Sequence, residues 1–322
     1  MDAAIRLGVL GCADVAGRKV LPALASVSEV RLVATASRTT AKAEAFAAKF
    51  GCEPVTGYQE LLDRSDVDAV YLPLPSGLHA EWIEKALLAG KHVLAEKPLT
   101  TSHAETVRLT RLADSAGLAL LENYMFPQHR QHDRVKQLVS DGAIGDVRAL
   151  SASFTIPARA PGDIRWRPEL GGGALLDTGG YPIRAAQLLL GADLAVLGAS
   201  LAQDRPTGVD LDGSALLRHG NGATAQLTFG IAHGYTCAYA LLGSTGRITV
   251  DRAFTPPAGF PPKVVLERRS GVEQVELPAE DQCAKTIRMF AAAVRNGRGT
   301  PAATKAMVRQ AYLVDEIRRT AV

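Results

Sequence analysis

A lysine placed directly after a short apolar segment is the first candidate for chemistry in this chain. Residues 91–94 have the apolar character of a buried strand, and Ala95, Glu96, Lys97 and Pro98 follow them. In an open parallel sheet, ligands bind at the carboxyl ends of the strands, so an ammonium group there faces a crevice. A lysine in an exposed loop is the commoner case. The assignment of Lys97 to a site therefore depends on the motifs that accompany it.

A tyrosine and an aspartate in the segment 171–182 are the second candidates. Asp177 and Tyr181 are four residues apart, a spacing that places both side chains on one face of a helix. Three glycines at 171–173 let the backbone approach a ligand or another loop closely. A cationic amine near a phenol lowers the pKa of the phenol, which then becomes a usable proton donor to a carbonyl. The alternative for Tyr181 is a core tyrosine whose hydroxyl bonds to the backbone.

The residues that follow the apolar segment 5–10 have the spacing of a phosphate-binding turn. A strand, a tight glycine turn and a helix start present free backbone N–H groups and a positive dipole end to a pyrophosphate. Ala13 stands where a second glycine is usual, and Ala16 takes the third position, where the helix packs on the sheet. A plain strand-to-helix turn fits this stretch equally well. The predicted cofactor contacts in the turn are Gly11, Cys12, Ala13, Asp14 and Val15.

The end of the second predicted strand carries Ser37, Arg38 and Thr39 and no acidic residue. An Asp or Glu at this position binds the ribose hydroxyls of NAD and repels a 2′-phosphate, whereas a guanidinium and a hydroxyl suit a phosphate dianion. We therefore predict NADP(H) as the cofactor. A solvated arginine at a helix start is the alternative for Arg38.

Apolar segments and amphipathic helices alternate through the first 123 residues, which indicates βαβ units and a parallel sheet covered on both faces. The predicted strands are 5–10, 30–36, 69–72 and 92–95, and the predicted helices are 41–50 and 78–89. Ser102 and Glu105 form a capping box, and Gly51, Gly90 and Gly117 are helix stops. This pattern is typical of a Rossmann domain.

From residue 146 onward the chain has long strands separated by turns, with the hairpin dipeptide Asn221 and Gly222 between two of them. The predicted strands are 147–156, 195–201, 214–218, 223–231, 238–242 and 247–250, and the predicted helices are 131–140, 181–190, 283–295 and 304–320. The predicted fold class is α/β. An N-terminal Rossmann dinucleotide-binding domain (1–123) precedes a C-terminal α+β domain (124–322) with a large, mostly antiparallel open sheet.

Composition excludes several other classes of protein. The 322 residues exceed a usual single core, and the net charge of +3 gives no reason to expect a nucleic-acid partner. No apolar run approaches the roughly 20 residues of a membrane span. The four cysteines are scattered, without the spacing of a metal site or a disulfide framework. We expect a cytoplasmic enzyme with a small-molecule substrate, no membrane contact and no bound metal.

Together, the turn at 11–16, the run Glu96, Lys97 and Pro98, and the segment 171–181 resemble the motifs of the Gfo/Idh/MocA oxidoreductase family. Within that family the sequence is most similar to the sugar 3-ketoreductases of deoxysugar biosynthesis. The resemblance covers essentially the whole chain. The stretches that carry the closer likeness are 72–75, 78–83, 153–157, 162–165 and 254–257.

The resemblance implies NADPH-dependent reduction of the C-3 keto group of a dTDP-linked 3,4-diketo-2,6-dideoxyhexose. It implies that Lys97 polarises the substrate oxygen and that Tyr181 donates the proton. Many members have a histidine at the position of Tyr181 and a bulkier residue at Gly180, so a looser helix start is expected here. A homodimer or homotetramer through the uncovered face of the C-terminal sheet is also expected.

The remaining site predictions follow from this placement of cofactor and substrate. The predicted cofactor contacts beyond the turn and the second strand are Leu72, Pro73, Leu74, His79, Glu96, Lys97 and Asn123. The predicted substrate contacts are Lys97, Tyr124, Phe126, Arg165, Trp166, Asp177 and Tyr181, the arginine and the indole being suited to a diphosphate and a flat base. His129 and His132 are expected to be solvated.

Two other functions stay open at this point. The nearer one is another NADP-dependent sugar or dihydrodiol dehydrogenase of the same family. The remoter one is a non-catalytic dinucleotide sensor on the same fold.

Overall fold

The computed structural model describes residues 3–322, which fall into two compact units. The first unit comprises Met1–Asn123 and Cys283–Val308, and the second comprises Tyr124–Gln282 and Arg309–Val322. The predicted C-terminal domain, 124–322, did not anticipate that Cys283–Val308 belongs to the first unit. Met307 of this segment is buried in the apolar core of that unit.

A six-stranded sheet forms the centre of the first unit, in the order β3-β2-β1-β4-β5-β6, and every pairing in it is parallel. The predicted bounds of β1, β4 and β5 are confirmed, because apolar segments buried on both faces give an unbroken signal. The strand order reverses between β1 and β4, the place where such sheets bind ligands. The strands are β1 (Ile5–Leu10), β2 (Val30–Ser37), β3 (Glu53–Thr56), β4 (Ala69–Leu72), β5 (His92–Ala95) and β6 (Leu120–Glu122).

Helices connect these strands. Ser102 caps α5 by accepting the backbone N–H of Glu105, which confirms the N-cap half of the capping box, whereas the Ser102 backbone N–H is donated to Thr100 Oγ1. Gly51, Gly90 and Gly117 follow helices with left-handed backbone angles, as predicted. A π-helix, Ala16–Val20, runs directly into α1. The helices of this unit are α1 (Leu21–Leu24), α2 (Thr40–Phe50), α3 (Tyr58–Leu62), α4 (His79–Leu88), α5 (His103–Ser115) and α8 (Gln282–Arg295), the last starting one residue before the unit does.

An eight-stranded sheet forms the second unit, in the order β14-β13-β12-β11-β7-β10-β9-β8. All of its pairings are antiparallel except the one between β7 and β10, which confirms the predicted mostly antiparallel sheet. Asn221 and Gly222 form the predicted hairpin turn between β9 and β10. The strands are β7 (Val147–Thr155), β8 (Leu194–Gln203), β9 (Asp210–His219), β10 (Thr224–Gly230), β11 (Thr236–Gly243), β12 (Gly246–Asp251), β13 (Lys263–Arg268) and β14 (Gly271–Glu276).

One face of this sheet holds the core of the second unit. The helices α6 (Arg130–Ser140), α7 (Gly180–Leu190) and the C-terminal part of α9 (Pro301–Thr320) contribute to that core. The opposite face carries mostly small side chains. One row of cross-strand neighbours on that face consists of Val265, Thr249, Ala240, Ser151, Gln226 and Leu216.

Within residues 3–322, none of the helices combines the length and the apolar character that a bilayer crossing requires.

Candidate active site

A buried carboxylate lies at the carboxyl end of β5, one residue before Lys97. Glu96 Oε1 accepts hydrogen bonds from the Tyr71 hydroxyl and from the Asn123 side-chain amide, each at 2.6 Å. Tyr71 lies in β4 and Asn123 directly follows β6, so three neighbouring strands contribute to one network. Burial and then the Glu96 carboxylate raise the pKa of Tyr71 well above its usual value, so the phenol stays protonated as a donor.

Lys97 is half-buried and begins the loop that leaves this network. Its peptide bond to Pro98 is cis. Leu99 donates its backbone N–H to Oε1 of the buried Glu122 at 2.8 Å. The loop therefore begins beside the Glu96 carboxylate at the end of β5, and on the other side of Lys97 it is hydrogen-bonded to the Glu122 carboxylate at the end of β6.

The His79 ring is fully buried beneath this loop. Its Nδ1 lies 2.8 Å from the Pro98 carbonyl oxygen, and its Nε2 lies 2.8 Å from the Leu74 carbonyl oxygen. Burial lowers the pKa of His79, and the two carbonyls and Glu96 oppose that effect. The prediction that His79 contacts the cofactor needs correction, because backbone encloses the ring and no part of it is exposed.

The glycine turn and the loop after β4 approach each other closely. Gly11 has a φ of +116°, and a Cβ built on it would lie 2.8 Å from Leu74 Cδ2. A side chain at this position is therefore strained in its backbone and meets Leu74 as well. Leu72, Pro73 and Leu74 are buried behind the turn.

The rest of the turn presents little charge of its own. Cys12 is half-buried, and burial raises the pKa of its thiol, which is therefore protonated at neutral pH. Asp14 is exposed and accepts a hydrogen bond from Arg18 Nε at 2.6 Å. Ala13 and Val15 are half-buried.

The end of β2 carries one buried and two exposed predicted contacts. Ser37 is buried, whereas Arg38 and Thr39 are exposed. Burial raises the pKa of the Tyr58 phenol, and the nearby Arg38 guanidinium opposes the rise. The hydroxyl lies 3.9 Å from the Cβ position built on Gly11.

Sequence reasoning missed Tyr58. It follows β3, an exposed edge strand that contains a proline, and begins a helix of five residues. Neither element has the apolar periodicity that would predict it, so no sequence signal pointed to this side chain.

In the second unit, Tyr181 is half-buried within an aromatic cluster. Its ring centroid lies 4.6 Å from that of Phe154 and 5.2 Å from that of Tyr124, both edge-on. Phe126, a predicted substrate contact, is fully buried and packs at 6.0 Å from the same ring. The cluster restricts the orientation of the Tyr181 ring.

Asp177 lies in a π-helix, Leu175–Gly179, that leads into α7. Its Oδ2 accepts a hydrogen bond from Arg165 Nε at 2.5 Å, and Asp163 accepts one from Arg165 Nη1 at 3.1 Å. Two carboxylates thus engage the guanidinium that was predicted to hold a diphosphate. Trp166 directs its indole N–H at the carbonyl oxygens of Ala160 and Arg159, at 3.2 and 3.3 Å.

Gly180, at the start of α7, is closely packed against the Tyr124 side chain. A Cβ built on it would lie 1.8 Å from the Tyr124 hydroxyl oxygen, and its carbonyl accepts a hydrogen bond from Gln310 Nε2 at 2.8 Å. The expected looser helix start is therefore wrong. The glycine makes room for the Tyr124 phenol.

His129 and His132 are both fully buried, so the expectation that they are solvated is also wrong. His132 Nδ1 lies 2.9 Å from the Tyr239 hydroxyl, and Nε2 lies 3.0 Å from the Ala253 carbonyl oxygen. With a proton on Nε2 for the carbonyl, Nδ1 accepts a hydrogen bond from the Tyr239 hydroxyl. Burial lowers the pKa of His132 to about 3.

Among the described residues, no group of three or more His, Cys, Asp or Glu side chains is arranged to hold a metal ion.

Two family models match the chain. The Gfo/Idh/MocA model described as an oxidoreductase family with an NAD-binding Rossmann fold matches residues 5–124, and the Gfo/Idh/MocA C-terminal domain matches residues 132–249.

Individual relatives are similar over nearly the full length. A dTDP-3,4-didehydro-2,6-dideoxy-alpha-D-glucose 3-reductase from Streptomyces violaceoruber is 54% identical, over 99% of this chain and 96% of the relative. A D-xylose 1-dehydrogenase (NADP(+)) from Haloferax volcanii is 35% identical, over 90% of this chain and 89% of the relative.

Among solved structures, a 3-ketoreductase from Actinomadura kijaniata in complex with NADP and TDP-benzene superimposes with a TM-score of 0.97. It is 53% identical, and the match covers 99% of this chain and 98% of that one. Variants of that enzyme with a tyrosine changed to phenylalanine, or a lysine changed to alanine, have also been solved with the same two ligands.

Proposed function

The chain belongs to the Gfo/Idh/MocA oxidoreductase family, and we propose that it reduces the C-3 keto group of a dTDP-linked 3,4-diketo-2,6-dideoxyhexose with NADPH. The observation that carries this proposal is the 54% identity, over 99% of the chain, to a 3-reductase of that substrate class. The reaction class is a ketone reduction, and the cofactor supplies the hydride when it is bound.

The first unit has residues that fit a dinucleotide phosphate. Gly11 is placed where a Cβ would press on the Leu74 side chain, so the turn has the small residue that close approach of a pyrophosphate requires. Arg38 is exposed at the end of β2, and Ser37 and Thr39 flank it. These three residues hold the 2′-phosphate of NADPH through charge-assisted hydrogen bonds.

The remaining cofactor contacts lie at the carboxyl ends of the central strands. The loop after β4 and the Glu96 network border the place where such folds bind the nicotinamide. Glu96 orders this place, because its Oε1 accepts hydrogen bonds from Tyr71 and from Asn123.

Lys97 and Tyr181 perform the proton chemistry. The Lys97 ammonium donates a hydrogen bond to the C-3 carbonyl oxygen and stabilises the negative charge that grows on it during reduction. The Tyr181 hydroxyl then donates its proton to that oxygen, which completes the alcohol. The aromatic cluster keeps the Tyr181 ring in one orientation, which favours a fixed direction for proton transfer.

The second unit binds the substrate. Tyr124, Trp166 and the Arg165–Asp177 pair line its binding region, and Phe126 supports Tyr181 from the core. Because Asp163 and Asp177 already engage Arg165, the guanidinium orders the loop before the π-helix and leaves little free charge for a diphosphate.

The enzyme works in the cytoplasm as a homodimer or homotetramer. The uncovered face of the eight-stranded sheet carries small side chains, and Leu216 and Leu242 on it are 39% and 43% exposed. A flat face of this kind packs well on a second copy of itself. Sedimentation giving only a 34.0 kDa species would overturn the oligomer.

A substrate panel tests the function. The purified protein is supplied with NADPH and the dTDP-linked diketosugar, and NADPH oxidation is followed by absorbance. We expect turnover on this substrate, a lower kcat/KM with NADH, and little activity with free sugars or dihydrodiols. Activity confined to D-xylose or a dihydrodiol would favour the alternative dehydrogenase, and cofactor binding without turnover on any of these would favour a sensor.

A further inference from the structure

We propose that His79 is a positioning residue that fixes two loops of the site through their backbone carbonyls. The loop after β5 carries Lys97 and contains the Pro98 carbonyl, which lies 2.8 Å from His79 Nδ1. The loop after β4 contains the Leu74 carbonyl, which lies 2.8 Å from His79 Nε2. One imidazole therefore spans two loops that follow adjacent parallel strands.

The position of the ring explains why it acts through the loops and not on a ligand. His79 is fully buried at the first residue of α4. Both ring nitrogens face carbonyl oxygens, which only accept hydrogen bonds, so the ring must supply the protons. The ring donates to both carbonyls at once only when each nitrogen carries a proton, and the proposal includes this form, which the two carbonyls and Glu96 favour against burial.

Each of the two bonds has a different consequence for the reaction. The kinetic part of this inference rests on the proposed function. The Pro98 carbonyl is one residue from Lys97, so loss of that bond releases the backbone that aims the ammonium. The Leu74 side chain contacts the Gly11 turn, so loss of the other bond loosens the wall of the cofactor site. A misplacement of about 1 Å near the chemistry costs on the order of 10²-fold in rate.

Asparagine and glutamine separate the two bonds. The amide nitrogen of asparagine is attached at the γ position, as Nδ1 is, so His79→Asn keeps the donor to Pro98 and loses the one to Leu74. The amide nitrogen of glutamine is one atom further out, as Nε2 is, so His79→Gln keeps the donor to Leu74 and loses the one to Pro98. His92→Gln is the matched control, because His92 accepts a backbone N–H from Ala119 at the opposite end of the same strand, β5.

The test compares kcat and the KM for NADPH in these variants, alone and combined with Lys97→Ala. We expect His79→Gln to lower kcat on the order of 10²-fold with a nearly unchanged KM, and His79→Asn to raise KM with a nearly unchanged kcat. In the Lys97→Ala background, His79→Gln should cause no further loss of kcat, because it acts through the lysine. The control should keep both constants.

Hydrogen exchange gives a second readout that does not depend on activity. The Leu99 amide, bonded to Glu122, should exchange faster in His79→Gln than in His79→Asn. The proposal is overturned if the asparagine and glutamine variants behave alike in rate and exchange, or if the kcat loss of His79→Gln multiplies with that of Lys97→Ala. If the wild type does not reduce the ketosugar, the proposed function fails, and the exchange comparison alone decides the role of His79.

Discussion

The phenol oxygen of Tyr71 lies 2.6 Å from Glu96 Oε1, and both residues are buried in the first unit. This bond, with that from Asn123, gives a carboxylate inside the protein the donors it needs in place of water. The network holds the residue that immediately precedes Lys97. Its integrity therefore decides both the stability of this sheet edge and the position of the lysine.

Tyr71→Phe removes one donor from this buried carboxylate. We expect the free energy of unfolding to fall by about 1–3 kcal/mol, measured by urea denaturation, because the buried Glu96 Oε1 then has only the Asn123 amide as a donor. Tyr235→Phe removes an exposed phenol and should change stability by less than about 0.5 kcal/mol. Equal stability of Tyr71→Phe and the wild type would contradict the importance of the bond.

Arg38→Ala should weaken the preference for NADPH over NADH. The guanidinium is exposed at the end of β2, near the Tyr58 phenol, and no acidic residue stands beside it in sequence. Loss of charge-assisted bonds to a phosphate should raise the KM for NADPH on the order of 10-fold or more and leave that for NADH nearly unchanged. Lys49→Ala, at the other end of α2, serves as the control. An unchanged ratio of the two KM values would remove Arg38 from the 2′-phosphate site.

Gly180→Ala should lower both stability and activity. The new methyl group would lie 1.8 Å from the Tyr124 hydroxyl oxygen, so the phenol or the start of α7 has to move. Overpacking of this kind costs about 1–3 kcal/mol. Tyr124→Phe in the same chain should recover much of the stability, and Gly198→Ala, which meets nothing within 4 Å, should have little effect. A thermal unfolding series on these variants checks the relationship, and failure of the double variant to recover would show that the clash lies elsewhere.

His132 gives the protein a predictable response to acid. Its pKa is about 3 in the folded state and 6.5 without the fold, so the unfolded chain takes up a proton between these values while the folded chain does not. Stability should therefore fall as the pH drops from about 6.5 to about 3, by up to about 1.4 kcal/mol per pH unit from this residue. In urea unfolding at pH 7, 6, 5 and 4, His132→Gln should lose that part of the slope. Identical slopes in the two proteins would contradict the buried neutral ring.

Several buried strands could be predicted from the sequence, but β6 and β13, which also contain buried apolar residues, were missed. β1, β4 and β5 have nearly continuous apolar side chains, and their bounds match the prediction. β3 and β14 are edge strands with mostly exposed residues, so no burial pattern identified them. The uncovered edges of a sheet do not require apolar residues, and for that reason they leave little trace in a sequence.

The parts of the site that sequence reasoning missed depend on contacts between distant residues. Lys97 is marked by its place after a strand. The side chains that hydrogen-bond the neighbouring Glu96, Tyr71 and Asn123, are 25 residues or more from it in the chain. His132 lies in a polar stretch, yet it is buried by partners more than a hundred residues away. A local pattern does not contain such pairings, which only the packed sheets create.

The most direct test of the account is the rate of ketosugar reduction by Lys97→Ala and Tyr181→Phe. Each variant should retain wild-type unfolding behaviour and NADPH binding while kcat falls 10²- to 10⁴-fold, because each removes one partner of the developing alcohol oxygen. A kcat within a few-fold of the wild type in either variant, on the dTDP-linked diketosugar, would contradict the assignment of these two residues.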